Sequence, residues 1–267
     1  MQELRHSVLW NSKGNKPNTM TVPNHKKKFE SEEAFSAKNW NETRGHTKKH
    51  TFPTKYIIAY FPYSKKYFLK THSVKKIKLH QWLTIYIHKN IGFILMTGSG
   101  TPHAATMLEE VIALGGKYFI NTGTAGGLQK TGIIVCTKAL KDDGTSHHYE
   151  KTGTFALPDA SLTSKLEKVL KEKKITYSKG PTWTTDALYR ETKAEFERYK
   201  KEGIYTVEME ASALFTVGKI RKAKVASMFI VSDVLFNNKE KKFHRFDTKL
   251  GQRQLIDTAY DCLRKLK

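Results

Sequence analysis

The sequence predicts an α/β domain with a largely parallel, covered sheet, and three observations carry that expectation. From about residue 53 onward, short apolar runs alternate with amphipathic segments of helical period. Several of those runs end in a glycine turn or in an acid. No internal repeat and no long linker breaks the rhythm, as expected when each strand is followed by a helix returning across the sheet.

The elements follow in order. Residues 1–52 are polar, rich in Lys, Asn and Thr, and weakly periodic; they are expected to form an irregular extension with one short helix within 30–40. The folded domain is expected over 53–267. Tyr56 to Tyr60 reads as a strand ended by Pro62, Tyr67 to Val74 as a helix, and Leu83 to Ile87 as an alternating strand. Ile91 to Met96 is a buried strand, closed by the tight turn Thr97-Gly98-Ser99-Gly100. Thr101 can cap the next helix, whose first position, Pro102, is where proline is best tolerated. Met107, Leu108, Val111, Ile112 and Leu114 give that helix its apolar stripe, and Gly115-Gly116 stop it. Tyr118 to Thr122 is a strand, and Gly123 to Gly127 reads as a turn after it. Further strands are expected at Gly132–Ala139, Ile175–Ser178, Tyr205–Met209 and Val225–Val231. Helices are expected at Ala160–Lys173, Thr192–Lys201, Glu210–Lys219 and Thr248–Lys265.

Composition narrows the function classes. The chain carries 47 basic and 25 acidic residues, a net charge of +22. A field of that sign draws polyanions. The bases are lysines almost throughout, scattered in short clusters such as Lys26-Lys27-Lys28, whereas base-reading proteins favour arginine forks. Nucleic-acid binding therefore ranks last. Ile91 to Met96 is far too short to span a bilayer, and the N-terminus lacks the apolar core of a signal peptide. Cys136 and Cys262 form no metal or redox motif, which fits a reducing cytoplasm. His103, His147 and His148 lack metal-ligand spacing, so no metal is expected.

Ligands of open α/β sheets bind at the carboxyl ends of strands, and that rule gathers the chemically unusual residues. Gly98 and Gly100 form neither a dinucleotide fingerprint nor a P-loop, since no third glycine and no Gly-Lys-Ser/Thr follows. Thr122, Gly123 and Thr124 open a glycine run that can present N–H and O–H donors to an oxyanion. In Val207-Glu208-Met209-Glu210-Ala211, two carboxylates stand at a strand-to-helix junction. Ionised carboxylates accept the paired donors of a ribose diol, and Met209 can cover the flat side of a sugar. The bland alternative pairs Glu208 with a lysine and sets Glu210 at a helix N-terminus. Asp233 follows the apolar run Met228 to Val231; a partly desolvated carboxyl there suits proton donation to a leaving group, with Ser232 to hold it.

Taken together, these segments resemble the nucleoside phosphorylase/nucleosidase superfamily over roughly residues 85–265. Gly98-Ser99-Gly100-Thr101-Pro102 resembles its first glycine turn, and Asn121 to Leu128 its phosphate- or nucleophile-side loop. Val207 to Ala211 resembles its ribose signature, and Ser232-Asp233 the base-side acid of its purine-acting branch. Thr184-Thr185-Asp186-Ala187-Leu188-Tyr189 stands where the family places a base-contacting segment, with Leu188 where purine-acting members stack a ring. The resemblance implies a three-layer α/β/α fold around a twisted, mostly parallel mixed sheet, assembled as a dimer, trimer or hexamer. It also implies N-glycosidic cleavage without a metal or organic cofactor, with phosphate as co-substrate. Glu210, Glu208 and Met209 would meet the ribose, and Asp233, Ser232, Asp186 and Leu188 the base. Gly98, Gly100, Asn121, Thr122, Gly123 and Thr124 would meet phosphate. Two departures stand out. Phosphorolytic members carry Arg at the position of Asn121, and a Gly-Asp-Pro segment with a following Arg near the N-terminus; neither is found. Asn121 in its glycine run is closer to the hydrolytic members. The leading expectation is a cytoplasmic phosphorylase of a purine ribonucleoside; its rivals are a nucleosidase using water and a non-catalytic binding or storage relative.

Overall fold

The computed structural model describes residues 27–46, 50–234 and 244–266. The chain divides into two compact units, Met1–Glu32 and Glu33–Lys267. Of the first, only 27–32 are described, a turn in which Ser31 Oγ donates to the Lys27 carbonyl. The second unit carries every element below. The expected N-terminal extension is thus partly outside the described residues, at 1–26 and 47–49. Its described part is not wholly irregular. Helix α1 (Ala37–Thr43) starts at Ser36, whose hydroxyl accepts from the Asn39 N–H, and its buried Asn41 donates to the Glu110 carbonyl at 3.0 Å.

After β1 (Lys55–Ala59), Pro62 does more than end the strand. It opens α2 (Pro62–Thr71), five residues ahead of the expected helix, because its fixed φ suits a first helical turn. Strands β2 (Lys75–Lys78), β3 (Thr84–His88) and β4 (Ile91–Leu95) form an antiparallel meander. Helix α3 (Thr101–Ala113) leads into β5 (Tyr118–Gly127) and β6 (Ile133–Asp142). Then come α4 (Ser146–Tyr149), β7 (Phe155–Ala156), α5 (Ala160–Glu172), β8 (Tyr177–Thr185) and α6 (Lys193–Lys201). The chain closes with β9 (Thr206–Glu208), α7 (Ala211–Ile220), β10 (Lys224–Val234), β11 (His244–Arg245) and α8 (Lys249–Arg264).

The sheet runs β11-β10-β6-β8-β9-β5-β1-β4-β3-β2, with β7 on β6. Strand β10 also pairs with β5, so β5, β10, β6, β8 and β9 close a ring. The class is α/β with a mixed sheet, as expected, but less parallel than the rhythm implied. Parallel ladders link β1 to β4 and β5, β5 to β10, and β8 to β6 and β9; the other ladders among the described residues are antiparallel. The antiparallel ladders lie in the β2–β4 meander, between β6 and β10, and at the short strands β7, β9 and β11.

Strand alternation sorts the core into two faces. Tyr56 and Ile58 point toward Met107, Leu108 and Val111 of α3 and Leu214, Phe215 and Val217 of α7. Ile57 points the other way, toward Leu166 and Val169 of α5 and Leu255, Ile256 and Leu263 of α8. These are the two helical layers. A satellite cluster around Trp183, Phe196 and Val207 packs α6 against the ring.

One expected turn is absent. Gly123 to Gly127 is the second half of β5, paired with β10 from Gly123 to Gly127 and with β9 at Gly126 and Gly127. The glycines serve close approach. A methyl group on Gly127 would lie 2.8 Å from the Lys130 carbonyl oxygen.

Candidate active site

The carboxyl ends of β1, β9 and β10 lie along the second half of β5. Strand β1 last pairs with β5 at Thr122, and β9 first pairs at Gly126. Between them, among the described residues, β5 is paired only with β10, which leaves one of its edges open at Gly123 to Ala125. Gly126 is the register partner of Val207 on one side and of Asp233 on the other. The Val207–Ala211 segment and Asp233 are thus set from the same residue.

Glu208 and Glu210 have separate duties. Glu208 ends β9 and is buried. One oxygen accepts from Thr184 Oγ1, and the other from the N–H groups of Glu210 and Ala211 at 2.9 and 2.7 Å. It therefore caps the start of α7, and both oxygens expected at a ribose accept hydrogen bonds from within the chain. Glu210 is also buried, with Oε1 accepting from the Gly100 N–H at 2.7 Å. Gly100 reaches that position at φ 99°, which favours glycine, and it stands at the N-terminus of α3, where a carboxylate is stabilised. Burial pushes both acids above the ordinary glutamate range, and Glu210 adds to the shift of Glu208. Met209, between them, is half-buried.

Asp233 and Ser232 sit in a β-bulge of β10, the extra residue falling between Val231 and Asp233. Bulges re-aim side chains at the rims of sheets. Ser232 Oγ donates to Asp233 Oδ1 at 2.6 Å, as the sequence suggested it should. Asp186 is tied down on both oxygens, by Thr101 Oγ1 at 2.5 Å and by the Gly144 N–H at 2.8 Å. It joins the start of α3 to the loop after β6. Leu188 opens a short 3-10 turn at the surface.

The six residues expected at phosphate separate. Asn121 is fully buried, with Nδ2 donating to Ser227 Oγ on β10 at 3.1 Å. Thr122 is spent on the Ile58 carbonyl at 2.8 Å. The Gly100 N–H is taken by Glu210. Gly98 is exposed beside His103, whose pKa burial lowers. Gly123 lies under the ring of Tyr60. Of the six, Thr124 is half-buried, on the stretch of β5 whose one edge is unpaired among the described residues.

Two residues were not singled out from sequence. Tyr60 follows the last residue of β1, and its hydroxyl is buried without a partner among the described residues. Burial, then the charges of Glu210 and Glu208, push it well above the ordinary phenol range. Its position just past a strand was the available signal. Glu191, after the 3-10 turn, has one buried unpaired oxygen, and burial and then Asp233 push its pKa up to about 7. Nothing in its sequence neighbourhood marks it. Among the described residues no group of three His, Cys, Asp or Glu side chains is placed to hold a metal ion.

With that geometry in hand, known proteins offer a frame. A guanosine phosphorylase of Halorubrum lacusprofundi is 28% identical over 152 residues, covering 55% of this chain and 63% of that protein. A uridine phosphorylase of Treponema pallidum is 27% identical over 153 residues, covering 52% and 59%. The chain thus spans about three fifths of the length of these curated relatives. Among solved structures, an AMP nucleosidase from Bacteroides thetaiotaomicron superposes with a TM-score of 0.70 over 86% of this chain and 97% of that one, at 20% identity, which speaks to the fold alone. The profile described as the phosphorylase superfamily matches residues 59–266. That span takes in β5, β9, β10 and every acid placed above, and the chain belongs to the phosphorylase superfamily.

Proposed function

We propose that this chain cleaves the N-glycosidic bond of a purine ribonucleoside, with water as the attacking group. One observation carries the choice of water: among the described residues, the charged side chains that act on Glu210 and Tyr60 are acidic. The charged groups acting on Tyr60 are Glu210 and Glu208, on Glu210 it is Asp186, and on Glu191 they are Asp233 and Glu195. A phosphate dianion calls for cations or converging N–H donors. Here the side chain at position 121 is sunk against Ser227, and the Gly100 N–H is already taken.

In this reading Asp233 gives its proton to N7 of the base as the bond from C1′ to N9 breaks, and the bonding pair leaves with the base. The sugar passes through an oxocarbenium-like state. Water forms the new bond at C1′, and its surplus proton passes to Glu210, whose raised pKa suits a base working near neutrality. Met209 and Glu210 lie under the sugar. The gain is stabilisation of charge that develops only at the transition state.

Phosphorolysis is the second reading. The names of the curated relatives favour it, and Thr124 on the open edge of β5 supplies one donor for phosphate. Product analysis separates the two. Inosine and uridine are incubated with the protein, each with and without phosphate. Hydrolysis yields ribose at a rate indifferent to phosphate; ribose 1-phosphate, formed only when phosphate is present, would sink it.

A further inference from the structure

The Tyr60 hydroxyl is a buried polar group that the mechanism above leaves unused. We propose that Tyr60 is the positioning residue for the attacking water, and that its ring fills the space an anion would need. This rests on the hydrolytic reading. Ala59, the last residue of β1, pairs with Thr122, which sets Tyr60 beside Gly123 on the open edge of β5. A methyl group on Gly123 would stand 3.4 Å from Tyr60 Cδ2, so the ring lies directly over that glycine. The floor of the slot is therefore covered by an aromatic face rather than by N–H donors.

The hydroxyl end of the same side chain is buried with no partner among the described residues. Leaving an O–H so costs about 1–3 kcal/mol, and such groups generally have water or a ligand as the missing partner. Asn121 Oδ1 is a second orphan, and strand alternation puts it on the same face of β5 as Gly123. A buried water needs two to four polar partners. Tyr60 stays protonated near neutrality and has its O–H to donate to the water oxygen, while the ionised Glu210 carboxylate can only accept. Water between them gives one hydrogen to Glu210 and takes one from Tyr60. Its second lone pair remains for C1′.

The test uses the full chain and the variants Tyr60→Phe and Tyr60→Gly. Base release is followed on the nucleoside turned over fastest, with and without phosphate, and melting is followed in inorganic phosphate. Tyr60→Phe should keep its melting temperature and its KM but lose roughly ten-fold or more in kcat. With methanol as a competing nucleophile, its ratio of methyl riboside to ribose should shift from the wild-type value, which a packing role would not do. Tyr60→Gly, by opening the slot, should gain stabilisation by phosphate that the wild type lacks. Tyr60→Phe at the wild-type rate and ratio would overturn the assignment to Tyr60 while leaving hydrolysis standing. Wild-type base release that requires phosphate would overturn both. Where no nucleoside is turned over, phosphate stabilisation of the wild type overturns the proposal, and stabilisation confined to Tyr60→Gly supports it. If Tyr60→Gly fails to fold, the Tyr60→Phe rate and ratio decide.

Discussion

Glu208 and Glu210 stand two positions apart, which on a strand means the same face. The chain leaves β9 at Glu208, so the alternation stops there and the two carboxylates part. Sequence spacing could group them as acids but could not divide the work. Their substitutions should separate them. Glu210→Gln should keep the fold and lower kcat by on the order of a hundred-fold or more, read as base release at saturating nucleoside. Asn121 shows the reverse limit. Its place in the glycine run made it a phosphate contact, but Ser227 across the ladder claims its amide. Asn121→Arg should therefore create no anion grip; a guanidinium buried without an acid should cost about 3–5 kcal/mol, measured as a lowered denaturation midpoint.

At the scale of elements, most strands and helices were legible because each buried face writes its period into the sequence. The glycine run was misread as a turn since glycine signals turns and close approaches alike; only the facing Tyr60 ring and Lys130 carbonyl distinguish them. The fixed φ of proline likewise accounts for the early start of α2. The N-terminus of α7 rests on Glu208, with Thr184 joining β8 to the same carboxylate. Glu208→Ala should thus act on stability before catalysis, costing about 1–3 kcal/mol in a urea melt, while Glu208→Gln, which keeps one acceptor, should cost less. An Ala variant as stable as the wild type but inactive would return Glu208 to the substrate.

At the scale of the whole molecule, buried acids outweigh what the surface lysines suggest about pH. The pKa of Glu191 rises from the ordinary 4.5 to about 7, so the folded chain holds a proton there that the unfolded chain has released. Between those values the folded state binds more protons, and stability must fall as pH rises. Glu208 and Glu210 act in the same direction. His46, His72 and His103, whose pKa values burial lowers, act the other way below 6.5, so the acid's share is read by difference: relative to the wild type, Glu191→Gln should remove a loss of melting temperature between pH 4.5 and about 7. The ring of five strands has a metrical consequence. Gly126 faces Val207 on one flank and Asp233 on the other, and neighbouring strands lie about 4.8 Å apart, so the two flanks are held roughly 10 Å from each other. Because the ring is closed, that gap is a fixed gauge; under the function proposed above, a lone base or a lone pentose would touch one jaw, whereas a base joined to its sugar would span both.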